Sequence, residues 1–472
     1  MTNKIIVWLR RDFRLMDNPA LYHAAQDGIV IPVYIHKPSS STHNLTNSDL
    51  YHHQAVFAFQ QTIKNQGGTL LIRKGNPEMI LTEIVKEVDA SALYFNYSYD
   101  PKESMTDQKI YENLRIPVQR FHSSLLTEPG TIINKQGNPY KVFTSFWKNL
   151  RALPIKKPLL QPKAINWYKS EPEETDLETS SKLRNYWKAG ETAALEKWRY
   201  FLQNQLTDYQ EYRNFPGIDA TSLLSPHLAQ GEITPRLIWH ETKETLELIS
   251  MEKGLSHRHE ESAETFLKQL AWRDFAYHQL VEFPHIIDQP LQSSYLTFPW
   301  LKKDEVALEK WKYGITGYSL VDAGMRELKE TGYMHNRVRM VTASFLVKHL
   351  LTHWLEGQAY FEKHLVDHDI ANNTLGWQWV AGTGFDSSPF FRIFNPVKQA
   401  EKFDPDGIYI RKWLPELSDL PTKYLYQPSE ASKEILKQAS VEIGQDYPAP
   451  IVEHTFARER ALEAFQRMKK GD

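Results

Sequence analysis

The chain has 472 residues, no cysteine, 41% hydrophobic and 24% charged residues, and a formal net charge of −2. Such a length implies two or three domains with a large buried core. The missing thiols exclude disulfides, thiolate zinc sites, iron–sulfur clusters and a cysteine nucleophile, and the charge excludes a uniformly basic surface, so any contact with nucleic acid must rest on a local patch.

The first residues, Met1–Trp8, lead straight into a strand-like run too short for a signal segment. No run approaches the roughly 20 apolar residues of a membrane span, so no membrane is expected and the cytoplasm is the default. Ile5–Leu9, Ile29–Ile35, Thr69–Arg73, Ala92–Tyr97 and Pro117–Phe121 read as short buried strands. Helical stretches lie between them at Asn18–Gln26, Asp49–Asn65, Pro77–Glu87 and Lys102–Asn113. Asn18-Pro19 and Gly75-Asn-Pro77 carry the signature of a helix start with proline in its first turn. The fold class is therefore α/β, with a doubly wound parallel sheet over residues 1–130. The turn after the first strand, Arg10–Asn18, lacks the Gly-x-Gly-x-x-Gly dinucleotide fingerprint.

Residues 131–195 change character. Pro154, Pro158, Pro162 and Pro172 punctuate them, and acids cluster in Glu171–Glu178, which marks a long, partly structured connector. Residues 196–472 read as an all-helical domain. Helical periodicity appears in Thr192–Leu206, Glu260–Val281, Asp304–Tyr313, Leu320–Thr331, Val338–Leu355, Gln358–Val366 and Ala457–Lys469.

Two segments of the helical half are dense in polar and aromatic residues. Asp367–Gly384 crowds two acids, two asparagines and two tryptophans beside a glycine-rich turn, more than an ordinary turn and core helix require. Thr331–Met340 opens a helix with Arg337 and Arg339 at i and i+2, on different faces, so one can pair a buried acid while the other meets a phosphate. Most of the 13 tryptophans are read as core, with a few left for stacking or electron transfer.

Several segments, in order along nearly the whole chain, resemble the photolyase/cryptochrome family, most closely its bacterial class I cyclobutane-dimer photolyases. They are Trp8-Leu-Arg-Arg-Asp-Phe-Arg-Leu-Met-Asp-Asn18, Thr221-Ser-Leu-Leu-Ser225, Trp272-Arg-Asp-Phe275, Gly317-Tyr-Ser-Leu-Val-Asp-Ala323, Met334-His-Asn-Arg-Val-Arg339, Asp367–Trp379 and Phe391-Arg-Ile-Phe-Asn-Pro396. The resemblance implies light-dependent repair of pyrimidine dimers in DNA by electron transfer from excited reduced FAD. It implies FAD contacts at Tyr209, Thr221, Ser222, Leu223, Leu224, Ser225, Phe266, Arg273, Asn336, Arg339, Asp367, Asp369 and Asn373, with Arg339 and Asp367 as a buried ion pair and Asn373 facing flavin N5. Trp377, Trp354 and Trp300 resemble the chain that passes electrons from the surface to the flavin. Trp272, Trp379 and Met340 resemble the walls of the lesion pocket, with Gln269 and Asn336 as polar contacts. Arg213, Arg273, Arg337 and Arg392 resemble phosphate contacts. No metal site is implied, and a monomer is expected.

The chain departs from this pattern at Gln269, where cyclobutane-dimer enzymes usually carry glutamate; glutamine is typical of (6-4) photolyases, but the second histidine of their catalytic pair is Asn336 here. A (6-4) photolyase and a cryptochrome-type blue-light receptor are the alternatives. The chain ends soon after Pro450–His454, without the long extension of many receptors, which disfavours signalling. His43 and Glu103 resemble antenna contacts, so 5,10-methenyltetrahydrofolate is favoured over an 8-hydroxy-deazaflavin. Asp288 stands where a basic antenna residue is expected, and a second flavin or no antenna stays open.

Overall fold

The computed structural model describes residues 3–36, 45–171, 177–253 and 256–470. The chain divides into two compact units: Met1–Gln210, Ser222–Pro284 and Val366–His368 form the first, and Glu211–Thr221, His285–Leu365 and Asp369–Asp472 the second.

The first unit begins as β1 (Lys4–Leu9), α1 (Pro19–Asp27), β2 (Ile29–His36), α2 (Asn47–Asn65), β3 (Leu71–Lys74), α3 (Pro77–Val88), β4 (Ala92–Asn96), α4 (Pro101–Asn113) and β5 (Val118–Phe121). The strands form one parallel sheet in the order β3-β2-β1-β4-β5. Alternation along β1 sends Ile5, Val7 and Leu9 to one face, with Phe59 and Ile63, and Ile6 and Trp8 to the other, with Leu81 and Ile84. Helix starts follow one device: Asn18, Asn76 and Asp100 each cap a helix whose first turn holds a proline.

The connector returns to this sheet. Tyr168 N donates to the Val30 carbonyl at 2.8 Å, Val30 N donates to Asn166 O at 2.8 Å, and Thr69 N donates to Tyr168 O at 3.1 Å. Thr69 is thus engaged by the connector, which is why β3 begins at Leu71 rather than at Thr69 as the sequence pattern suggests. The rest of the unit is helical: α5 (Phe143–Leu150), α6 (Glu191–Asn204), α7 (Pro235–Lys253) and α8 (His257–Glu282). Periodicity does not announce α7. Leu237, Ile238 and Trp239 of its first turn are buried, but Leu248 and Met251 further on are exposed, so no continuous apolar stripe exists.

The second unit holds α9 (Glu305–Tyr313), α10 (Ser319–Thr331), α11 (Asn336–Ser344), α12 (Trp354–His364), α13 (Ile370–Ala381), α14 (Pro396–Phe403), α15 (Ile408–Trp413) and α16 (His454–Lys470). Their core includes Trp311, Val321, Met325, Val338, Phe345, Trp354, Phe361 and Trp377. Asp322 pins the start of α10: it accepts from Thr316 N and Gly317 N and from the Tyr447 hydroxyl, so this acid of the Gly317–Ala323 motif is structural.

One expected helix is corrected. Val338–Leu355 is not continuous: α11 passes into a π-helical turn at Phe345–His349, the chain breaks, and α12 starts at Trp354. Leu350 N donates to Phe345 O at 3.1 Å, and buried Leu351 takes the left-handed conformation, φ 49°. Without glycine or proline there, nothing in the sequence marks the break, and such π turns and strained residues concentrate at functional sites.

Candidate functional site

In the first unit, α8 carries Phe266, Gln269, Trp272 and Arg273. Positions three and four apart share a helix face, so Gln269 neighbours both Phe266 and Trp272. Phe266 is buried in an aromatic nest with Trp198, Phe201 and Tyr209, at ring distances of 5.6, 4.7 and 5.3 Å. Trp272 is half-buried and stacks on Phe143 at 3.7 Å and 8°, so one indole face is covered by its own chain. Gln269 Nε2 donates to Thr265 O at 2.9 Å. Arg273 donates to Ser124 O at 2.6 Å and lies over the Tyr277 ring. Asp274, fully buried next to it, is pushed up to about 6 by burial although it accepts from Leu126 N and Thr127 N.

Thr221 and Ser222 are half-buried, Leu224 is buried and Ser225 is exposed. Between them Leu223 has φ 48°, a left-handed conformation that a branched residue rarely adopts. Hydroxyls held on a strained loop suit recognition of an anionic group.

In the second unit, α12 and α13 are joined by a short turn. Asp369 caps α13, accepting from Asn372 N at 2.9 Å and Asn372 Nδ2 at 2.8 Å. Asn373 Nδ2 donates across to Gln358 O on α12 at 3.1 Å. Gln358 and Gln378 donate to the carbonyls of Ile287 and of Ile286 and Gln289, which fixes that segment to both helices. Trp377 is buried, edge-on to Phe361 at 5.0 Å and to Trp311 at 6.3 Å. Its ring lies against the backbone of Gly357, where an added Cβ would come within 2.0 Å of Trp377 Cη2. Trp354 is buried one turn before that glycine, and half-buried Trp300 follows in space through His353. Asp367 is buried, Trp379 half-buried and Arg392 exposed.

The start of α11 is electropositive. Arg337 donates to Asn214 Oδ1 at 2.9 Å and lies 4.3 Å over the Phe403 ring. Burial and then the neighbouring charge of Arg213 lower its pKa, the signature of two cations held close. Arg339 donates to Met334 O at 2.7 Å. Asn336 is exposed and reaches the Met340 sulfur at 3.9 Å. His335 is buried, accepts from Arg337 N through Nδ1 at 3.2 Å, and is lowered to about 4 by burial, then by Arg339, Arg337 and Arg213. It therefore stays neutral at physiological pH.

Buried polar atoms of this unit without a hydrogen-bond partner include Gln358 Oε1, Thr374 Oγ1 and Trp377 Nε1. Such atoms are costly unless a ligand or water satisfies them. Unsatisfied groups of this kind suit a ligand with a polar heteroaromatic ring. Among the described residues no His/Cys/Asp/Glu cluster could hold a metal ion.

Of the two residues expected to contact an antenna, Glu103 sits in the first turn of α4, 4.0 Å from Arg10, while His43 lies outside the described residues. Arg10 also donates to Asp107 and to Asn96 O, next to the β1–β4 boundary where strand order reverses. Ligands of open α/β sheets bind at such boundaries.

Sequence reasoning passed over Phe143, Asn214, His353, Gly357 and Gln358. Only Asn214 had a signal, its place beside Arg213; the others are defined by what they touch.

A family model described as DNA photolyase matches residues 5–163, and one described as the FAD binding domain of DNA photolyase matches residues 266–467. A deoxyribodipyrimidine photo-lyase of Agrobacterium fabrum is 43% identical, over 99% of this chain and 99% of its own. Cryptochrome-2 of Arabidopsis thaliana is 36% identical, over 100% of this chain and 80% of its own. A crystal structure of a bacterial class III photolyase from Agrobacterium tumefaciens superposes with a TM-score of 0.93 at 42% identity, covering 100% of this chain and 98% of that one.

Proposed function

Given that the chain belongs to the photolyase/cryptochrome family, we propose that it repairs cyclobutane pyrimidine dimers in DNA with light and reduced FAD. The chemistry supplied by bound reduced FAD is light-driven donation of one electron to the dimer and its recovery after the ring opens. Tyr209, Thr221, Ser222, Ser225, Phe266, Asn336, Arg339, Asp367, Asp369 and Asn373 would hold it; Leu223, Leu224 and Arg273 would shape its surroundings.

The protein's own residues place the substrate. A dimer stacks poorly in the duplex, so extruding it costs less than extruding a normal pair. Trp272, rigidly backed by Phe143, offers one indole face for stacking. Trp379 and Met340 offer further apolar surface, and the amides of Gln269 and Asn336 can donate to pyrimidine carbonyls. Arg213, Arg337 and exposed Arg392 supply positive charge for phosphates. Trp300, Trp354 and Trp377 serve as the electron relay from the protein surface to the flavin.

The observation that carries the choice of lesion is the state of His335. Its Nδ1 is occupied by Arg337 N, burial and then three arginines keep it neutral, and its neighbour is Asn336 rather than histidine. Neither residue can deliver the proton that a (6-4) enzyme requires. The test illuminates reduced holoprotein with DNA bearing either lesion. Thymine absorbance restored from the cyclobutane dimer alone supports the reading; restoration from the (6-4) product, or from neither, refutes it.

We also read the protein as a cytoplasmic monomer with a folate antenna contacted by Glu103 and His43. No described helix is long and apolar enough to cross a membrane. Mass analysis of chromophores released from holoprotein decides the antenna.

A further inference from the structure

Trp354 and Trp300 are each paired with the same ring. His353 stacks on Trp354, with centroids 5.7 Å apart and planes at 27°, and meets Trp300 at 5.2 Å and 59°. Its placement is over-determined. The π turn and left-handed Leu351 deliver it to the head of α12, and Leu301 N, next to Trp300, donates to the Leu351 carbonyl at 3.1 Å. His353 Nδ1 accepts from Leu355 N at 3.2 Å, capping α12. With Nδ1 used as an acceptor, the neutral ring carries its proton on Nε2.

We infer that His353 is the positioning and bridging group of the proposed relay, through which an electron passes from Trp300 to oxidised Trp354, and that it does so only as the neutral imidazole. The inference rests on the relay reading above. The step balances simply: the Trp354 radical cation gains one electron and Trp300 loses one. Half-buried Trp300 then releases its indole proton to water, and an external thiol returns a hydrogen atom to it.

Protonation at Nδ1 would turn the acceptor into a donor facing Leu355 N–H. It would also set a positive charge between two rings that must share a hole. Burial opposes that protonation, while Glu356, one turn along α12, favours it. Glu356 is in turn paired at 3.2 Å with Lys303 from the segment after Trp300.

Two substitutions separate bridging from capping. His353→Asn keeps a good cap but removes the ring; His353→Phe keeps a ring and removes the cap. Flash excitation of each holoprotein, read as long-lived tryptophan radical absorbance, should give a yield close to the unsubstituted protein for His353→Phe and loss of most of the signal for His353→Asn. In the unsubstituted protein the yield should fall in acid, with a midpoint below the usual histidine value of about 6.5, and this fall should vanish in His353→Phe. Equal yields in the two variants, or a higher yield for His353→Asn, overturn the bridging role. If the unsubstituted holoprotein gives no tryptophan radical, the relay reading itself fails first.

Discussion

Gln269 shows how one atom separates this chain from its resemblance. Its amide nitrogen donates to Thr265 O at 2.9 Å. A carboxyl there steers negative charge on the dimer differently and can donate when protonated. Gln269→Glu is therefore expected to raise the dimers split per absorbed photon; an unchanged or lower quantum yield contradicts that role. Arg337 is oriented by Asn214 and Phe403 and crowded by Arg213. Arg337→Ala should weaken damaged-DNA binding about tenfold at low salt and reduce the salt slope by about one, read by titration at several salt concentrations. A salt slope unchanged from the parent would remove the phosphate role. At this scale the motifs pointed to Trp272, Trp354, Trp377 and Arg337, but not to Phe143 or His353, whose importance lies in a ring contact that only the folded chain reveals.

Elements depend on a few close approaches. Trp377 on α13 fits only because residue 357 on α12 has no side chain. Gly357→Ala should cost about 1–3 kcal/mol through overpacking and displace Trp377, seen as a lower melting temperature with a reduced tryptophan-radical yield. Glu327 on α10 accepts from Tyr409 of α15 at 2.6 Å and from His335 N at the head of α11. Burial raises it to about 7, against the pull of Tyr409, His335 N, Lys412 and Arg339. A carboxyl raised from about 4.5 to about 7 stabilises the fold fully below the lower value and loses that contribution as pH rises to the upper one. Glu327→Gln, measured by urea unfolding, should gain stability relative to the parent between those values and then level off. The helices around these contacts were legible from periodicity. The break after His349 was not, because Leu350–His353 continues the apolar rhythm while a left-handed leucine stops the helix.

Across the whole molecule, the alternation of strands and helices in residues 1–130 and the helical second half follow from pattern alone, since buried parallel strands read as continuous apolar runs. The connector was legible as proline-rich but not as a partner of the sheet: Trp167, buried against β2, carries no periodic signal. A net charge of −2 is compatible with the proposed DNA contact, because Arg213, Arg337 and Arg339 gather at the head of α11. The central claim is light-driven splitting of cyclobutane dimers without net consumption of electrons. It is tested most directly by a single saturating flash given to reduced holoprotein saturated with dimer-containing oligonucleotide, measuring thymine formed and the redox state of the bound flavin. The account predicts thymine restored only in the light, with the flavin still reduced afterwards. Thymine formed in the dark, or one flavin oxidised for each dimer split, would contradict it.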